Sequence, residues 1–233
     1  MRNDIRDKLI VALDVPAYDD ARALVETLGD TVSFYKVGLE LLFAEGLTLA
    51  GELKSEGKRV FLDMKFLDIG NTVEKAVAGV AELGFDFLTI HGTDTKTMKA
   101  AVKGRGKSSL KILAVTVLTS LDQNDLSEQG IAMSPRDLVL KRAKLARDAG
   151  VDGVIASGQE AASIRAACGP GFLIVTPGIR LPGGDAGDQK RITTPEDAIR
   201  DGANHIVVGR PINAARNPLE AAQTFLGHLS RAT

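Results

Sequence analysis

Eight short apolar runs recur along the chain, at residues 8–14, 32–38, 59–65, 86–92, 111–118, 151–157, 172–178 and 203–209. Each is nearly continuous rather than alternating, which is the pattern of a strand covered on both faces in a parallel sheet. Amphipathic helical segments lie between the runs. Gly29, Gly84, Gly150 and Gly202 each follow a helical stretch, where a residue of positive φ is wanted. Ser134-Pro135, Thr194-Pro195 and Asn217-Pro218 each put a capping side chain before a proline at the first helical position. Thr194 with Asp197, and Asn217 with Glu220, have the spacing of capping boxes.

Strands alternating with helices in this number predict the α/β class and a closed (β/α)8 TIM barrel, one domain over residues 1–233. An open doubly wound sheet is the alternative, and no GxGxxG follows the first run to favour it. Two connections are long. Residues 119–133 exceed a plain strand-to-helix turn. Residues 179–194 carry Gly183, Gly184 and Gly187 among charged side chains, the composition of an active-site lid.

Composition narrows the partners. The chain has 233 residues, 44% hydrophobic and 25% charged, enough for a substantial core. A net charge of −1 with interspersed signs, and no Trp, give no support for nucleic acid or a membrane as partner. The single Cys168 excludes an internal disulfide and a cysteine metal cage. The charged N-terminus lacks the apolar run of a signal peptide, and no run approaches a membrane span, so a cytoplasmic location is expected.

Chemistry in such barrels sits at the C-terminal ends of the strands. Asp14 ends the first run and Lys36 lies in the second. The third, VFLDMKFLDIGNT at 60–72, brings Asp63, Lys65 and Asp68 into an otherwise apolar stretch. Strand alternation puts Asp63 and Lys65 on one side, roughly 6–7 Å apart along the chain. His91 ends the fourth run, Thr119 and Ser120 follow the fifth, and Arg180 follows the seventh. Gly209 and Arg210 follow the eighth, where barrels of this type often bind phosphate. Gln189, on the glycine-rich connection, is placed to close over the same group. Singly, each residue has an ordinary reading: Asp14 caps a turn, Lys36 snorkels to the rim, and His91 is a hydrogen-bonded core histidine. His205, His228 and Cys168 read as structural. As a set, buried charges at one end of a barrel need mutual compensation, which marks a functional site.

At Asp63-x-Lys65-x-x-Asp68-Ile69-Gly70-Asn71-Thr72 the sequence closely resembles the bacterial orotidine 5′-monophosphate decarboxylases. The resemblance extends through LDV at 13–15, YKVG at 35–38, TVLTS at 116–120, TPGIR at 176–180 and VVGRPI at 207–212. Gly70 stands where many relatives have proline. The resemblance implies a carboxy-lyase that converts orotidine 5′-monophosphate to uridine 5′-monophosphate and CO2, the last step of de novo pyrimidine synthesis, with no cofactor and no metal. It implies a homodimer with shared sites: Lys36, Asp63 and Lys65 from one subunit, Asp68 and Thr72 from the other. Asp14 and Lys36, assisted by Thr72, would hold the ribose hydroxyls, and Thr119 and Ser120 would lie near the pyrimidine amide edge. Arg180, Gln189, Gly209 and Arg210 would grip the 5′-phosphate, and Lys65 would protonate C6. Decarboxylation at C6 leaves a carbanion with no neighbouring carbonyl to delocalise it, so fixed charges must stabilise it. Two other readings share the central motif: the Mg2+-dependent hexulose-phosphate synthases and keto-hexulose-phosphate decarboxylases, and a barrel that only binds a phosphorylated ligand. The connection from Arg180 to Gln189, Thr72 and TVLTS favour the nucleotide.

Overall fold

The computed structural model describes residues 5–183 and 191–232. All eight predicted strands form: β1 Leu9–Ala12, β2 Phe34–Gly38, β3 Arg59–Phe66, β4 Phe87–His91, β5 Lys111–Val115, β6 Gly153–Ile155, β7 Leu173–Thr176 and β8 His205–Val208. They pair in parallel in chain order, and β8 closes on β1 through Leu9–Ile206, Ile10–Val207 and Val11–Val208. The fold is therefore the expected (β/α)8 barrel. Most strands are shorter than their apolar runs, because the last residues of those runs leave the ladder and build the loops at the C-terminal mouth.

The helices are α1 Tyr18–Leu28, α2 Leu39–Leu41, α3 Leu47–Ser55, α4 Gly70–Glu82, α5 Thr95–Arg105, α6 Gln123–Glu128, α7 Pro135–Asp148, α8 Gly158–Cys168, α9 Pro195–Arg200, α10 Arg210–Asn213 and α11 Pro218–Arg231. The four helix-ending glycines all have positive φ. Ser134, Thr194 and Asn217 each accept the backbone N–H three residues on, with proline following the cap. The Thr194–Asp197 pair also closes side chain to side chain, the hydroxyl donating to the carboxylate at 2.7 Å. The long connection at 119–133 is not a bare loop. It contains α6, started by a reciprocal capping box between Asp122 and Asp125. An aspartate pair serves there in place of the usual Ser/Thr with Glu, which hid this helix in the sequence.

One device recurs at the N-terminal rim. Asp86, Asp152 and Asn204 each precede an even-numbered strand and reach back to the start of the strand before it. Their side-chain oxygens accept from the N–H of Val60, Ile112 and Ile174 at 3.0, 2.9 and 2.8 Å. Their own backbone N–H groups donate to the carbonyls of the same three residues. An arginine completes each clamp: Arg59 on Asp86, Arg105 on Asp152, Arg165 on Asn204. Fixing both hydrogen-bonding groups of a strand's early residue sets the stagger that barrel closure requires.

The interior between these ends is filled by Ile10, Ala12, Phe34, Phe61, Phe87, Leu113, Val175 and Val207. At its base Phe34, Phe87 and His205 meet edge to face, with centroids 5.1 to 5.9 Å apart, and the Arg59 guanidinium lies 4.1 Å from the Phe34 ring centre. His205 Nδ1 donates to the Asp7 carbonyl at 2.7 Å. Burial, aided by the nearby Arg59 charge, pushes the imidazole down to about 4. Folding thus keeps this ring neutral where an unfolded histidine takes up a proton. Its contribution to stability is full above pH 6.5 and erodes between about 6.5 and 4, by about 1.4 kcal/mol per pH unit. We expect His205→Gln to flatten the fall in unfolding free energy between pH 6.5 and 4.5. An unchanged slope in urea titrations at the two pH values would assign that fall to other groups.

Candidate active site

β2 presents Phe34, Lys36 and Gly38 to the interior, while Tyr35 and Val37 pack against the helices. Lys36 is only 7% exposed, which rules out a snorkelling role. In register it sits beside Ala12 and Phe61, one pleat below the level of Asp63, which pairs with Gly38. Its stem climbs past Gly38 to place Nζ 2.8 Å from Asp14 Oδ1 and 3.4 Å from Asp63 Oδ2. A Cβ on residue 38 would stand 2.8 Å from that Nζ, so the glycine is what leaves the ammonium its path.

Asp63 is the centre of the cluster. Its Oδ2 also takes Lys65 Nζ at 2.8 Å, and its Oδ1 accepts from the Thr89 hydroxyl at 2.8 Å. Burial pushes the Asp63 carboxyl up, but Lys36, Lys65 and the hydrogen bonds outweigh it and hold the group below the usual carboxylate range. Lys36 mirrors this. Burial pushes the ammonium down, and Asp63 and Asp14 more than restore it, so it stays charged. The result within one chain is an alternating array, Asp14–Lys36–Asp63–Lys65.

Lys65 departs from the strand geometry expected of it. Its φ is +51°, and the β3–β4 register shifts between Leu62 and Phe66. The side chain reaches Asp63 through a bulge, not through simple alternation. With 27% of its side chain exposed, against 9% for Lys36, Lys65 is the more accessible of the two ammonium groups that line the cavity.

A cavity of about 590 Å³ opens above the array, within the range of small-molecule sites. Asp14, Lys36, Asp63 and Lys65 line one wall, with Thr119, Arg180, Gly209 and Arg210 elsewhere on its rim. Ala12, Phe61, Val115, Val117, Ile155 and Val207 supply its apolar floor. Such a site presents cations at two places, one held in a carboxylate array and one at the β7–β8 rim. It suits a ligand with an anionic tail and a reacting centre that develops negative charge.

The model for the orotidine 5′-phosphate decarboxylase / HUMPS family matches residues 7–225. The chain belongs to that family. An orotidine 5′-phosphate decarboxylase of Rhodopseudomonas palustris (strain BisB5) is 53% identical over 228 residues, 98% of this chain and 97% of the relative. One from Ruegeria pomeroyi is 57% identical over 227 residues, 96% and 94% of the two chains. The crystal structure of orotidine 5′-phosphate decarboxylase from Lactobacillus acidophilus superimposes with a TM-score of 0.82 at 36% identity, covering 95% of this chain and 98% of that one.

Set against the residues expected of this decarboxylase family, the structure gathers Asp14, Lys36, Asp63, Lys65, Thr119, Arg180, Gly209 and Arg210 around one cavity. Ser120 is half-buried behind Thr119 and does not line it. Asp68 and Thr72 are exposed, outside this cavity; the Asp68 carboxylate accepts the Ile69 N–H at 2.6 Å. Gln189, with Gly184 and Gly187, lies outside the described residues. His91 is half-buried at the end of β4, its imidazole pushed down by burial and by the Lys65 charge.

Two residues escaped the sequence reading. Thr89, fully buried, looks like any β-branched strand residue in FLTIH. Arg191 looks like one more charge in a polar connection. It is in fact buried, with Nη1 2.6 Å from Glu160 and Nη2 3.1 Å from the carbonyls of Val117 and Leu118. Ser157 Oγ donates to its carbonyl at 3.1 Å, and Thr193 bridges to Ile179. Arg191 thereby ties the returning end of the 179–194 connection to α8 and to the mouth of β5, next to Thr119. Breaking a buried pair from one side costs about 3–5 kcal/mol. We therefore expect Arg191→Ala to lower the melting temperature by roughly 6–20 °C in a chain of this size. Calorimetry showing a drop under 2 °C would contradict this anchoring.

Proposed function

We propose that this protein decarboxylates orotidine 5′-monophosphate to uridine 5′-monophosphate and CO2 without a cofactor, Lys65 delivering the proton to C6. The observation that carries the proposal is the Asp63 carboxylate locked between two ammonium groups at the base of the cavity, with Arg180 and Arg210 on its rim. The carbanion left by CO2 needs cations that are already oriented. At about 4 Å and an effective dielectric near 20, one fixed charge pair is worth roughly 4 kcal/mol, close to three powers of ten in rate. Lys65 is the better proton donor of the two, since Lys36 is wedged between Asp14 and Asp63. Asp14 and Lys36 then serve the ribose hydroxyls, and Thr119 the amide edge of the pyrimidine. Arg180, Gly209 and Arg210, with Gln189, hold the phosphate. That grip, remote from C6, organises the reacting end.

The same reading makes the active unit a homodimer. Phe43 is 91% and Ile69 73% exposed, and Leu39, Leu47 and Leu67 are also uncovered. Leu67 and Ile69 flank Asp68 directly, and burying them against a second copy would carry Asp68 and Thr72 toward the neighbouring cavity. A cytoplasmic location goes with this biosynthetic role.

Absorbance-monitored loss of orotidine 5′-monophosphate by the purified protein is expected to be insensitive to EDTA and abolished by Lys65→Ala. No loss of orotidine 5′-monophosphate, with Mg2+-dependent turnover of a hexulose phosphate, would instead favour the enediolate chemistry of that branch of the family. A mixed dimer of Lys65→Ala and Asp68→Ala chains should keep one intact site of the two. An inactive mixed dimer would overturn the division of Asp63 and Lys65 from Asp68 and Thr72.

A further inference from the structure

β5 to β8 line the barrel interior with apolar side chains, Leu113, Ile155, Val175 and Val207. β4 does so only at its base, with Phe87. One pleat up, beside Leu113 in the ladder, it carries Thr89, 0% exposed, where valine would have the same shape. A buried hydroxyl is costly unless its hydrogen bonds are made. Here two are made, to the two residues the proposed chemistry depends on. Oγ1 accepts the backbone N–H of Lys65 at 2.9 Å and donates to Asp63 Oδ1 at 2.8 Å.

The first bond falls on a strained residue. A lysine at φ +51° sits in the left-handed region, at a cost of order 1 kcal/mol, and the β3–β4 ladder is interrupted around it. Its N–H therefore relies on a side chain for a partner. The second bond fixes the rotation of the Asp63 carboxylate. With Oδ1 committed to Thr89, Oδ2 is turned toward both ammonium groups, 3.4 Å from Lys36 and 2.8 Å from Lys65. One hydroxyl thus sets where the Lys65 side chain leaves the backbone and where its counter-ion points.

We infer that Thr89 is a positioning residue of the active site, holding Lys65 in its left-handed conformation and Asp63 in the rotamer that orients the proton donor. This rests on the decarboxylase reading for its kinetic consequence, though not for its geometric one. Misplacing a catalytic group by about 1 Å costs on the order of 100-fold. Thr89→Val, which keeps shape and removes both bonds, is therefore expected to lower kcat by about 30- to 100-fold. Affinity for uridine 5′-monophosphate should stay within about threefold, because the groups assigned to its phosphate and ribose, Arg180, Gly209, Arg210 and Asp14, have no bond to Thr89. Thr89→Ser, which restores the hydroxyl, should recover activity to within about threefold, and Thr89→Ala serves as the deletion should the valine variant fail to fold. In a crystal structure of the deletion variant, Lys65 should leave the left-handed region or Asp63 should rotate away from it.

A merely structural threonine would lower melting temperature in all variants without separating kcat from product affinity, and that result would overturn the inference. So would a deletion variant with unchanged Lys65 and Asp63 geometry, or a serine variant as slow as the valine. If the wild-type protein itself fails to decarboxylate orotidine 5′-monophosphate, the functional reading falls while the crystallographic comparison still decides the role of Thr89.

Discussion

The Asp63 carboxylate is the group on which the mouth of this barrel depends. Three strands meet at it: Lys36 from β2, Lys65 from β3 itself and Thr89 from β4. Two ammonium groups this close repel one another, and the second can be held in a mostly buried place only because a carboxylate lies between them. Remove the carboxylate and the lysines lose their common partner. Remove either lysine and a buried carboxylate loses half of its compensation. The cluster is stable only as a whole, and its assembly requires β2, β3 and β4 to be in register, which a closed barrel enforces.

The two ends of the barrel divide the labour. The N-terminal end is packed for stability: edge-to-face rings, a neutral His205, a guanidinium over Phe34, and the repeated Asp86, Asp152 and Asn204 clamps. These interactions tie adjacent strand starts together and fix stagger. The C-terminal end carries the left-handed Lys65 and the desolvated array of Asp14, Lys36, Asp63 and Lys65. A left-handed lysine and a desolvated ion array are tolerable at the mouth because the base is over-determined. Gly38 shows how narrow the tolerance is, since one added carbon would meet the Lys36 ammonium.

Much of this was legible in the sequence, for physical reasons. Strands covered on both faces write continuous apolar runs, so all eight could be placed and their polar terminal residues recognised. Asp14, Lys36, Asp63 and Lys65 stood out because charge in an apolar run demands a partner. What could not be read is what alternation and composition do not encode. The bulge at Lys65 is a backbone event with no glycine to announce it. Thr89 is a favourable strand residue whether or not its hydroxyl matters. Arg191 is buried by the fold of a polar connection and not by apolar neighbours in sequence. Helix α6 was hidden by an aspartate capping box. Ser120, adjacent to a true lining residue, was drawn in by proximity along the chain.

Asp68 and Thr72 pose the remaining physical question, because they belong to the most characteristic stretch of the chain yet lie outside its own cavity. Asp68 follows Lys65 by three residues and precedes α4 by two, on a solvent-exposed stretch that joins the bulge to the helix. Leu67 and Ile69, on either side, are both more than half exposed. A carboxylate flanked by two uncovered apolar side chains is a poor surface for water and a good one for a matching surface. On the proposed reading, burying Leu67 and Ile69 against a second chain supplies the driving force that brings Asp68 to an array. Association and catalysis would then draw on the same seven residues, Asp63 to Ile69, with the left-handed turn at Lys65 separating what each chain keeps from what it offers its neighbour.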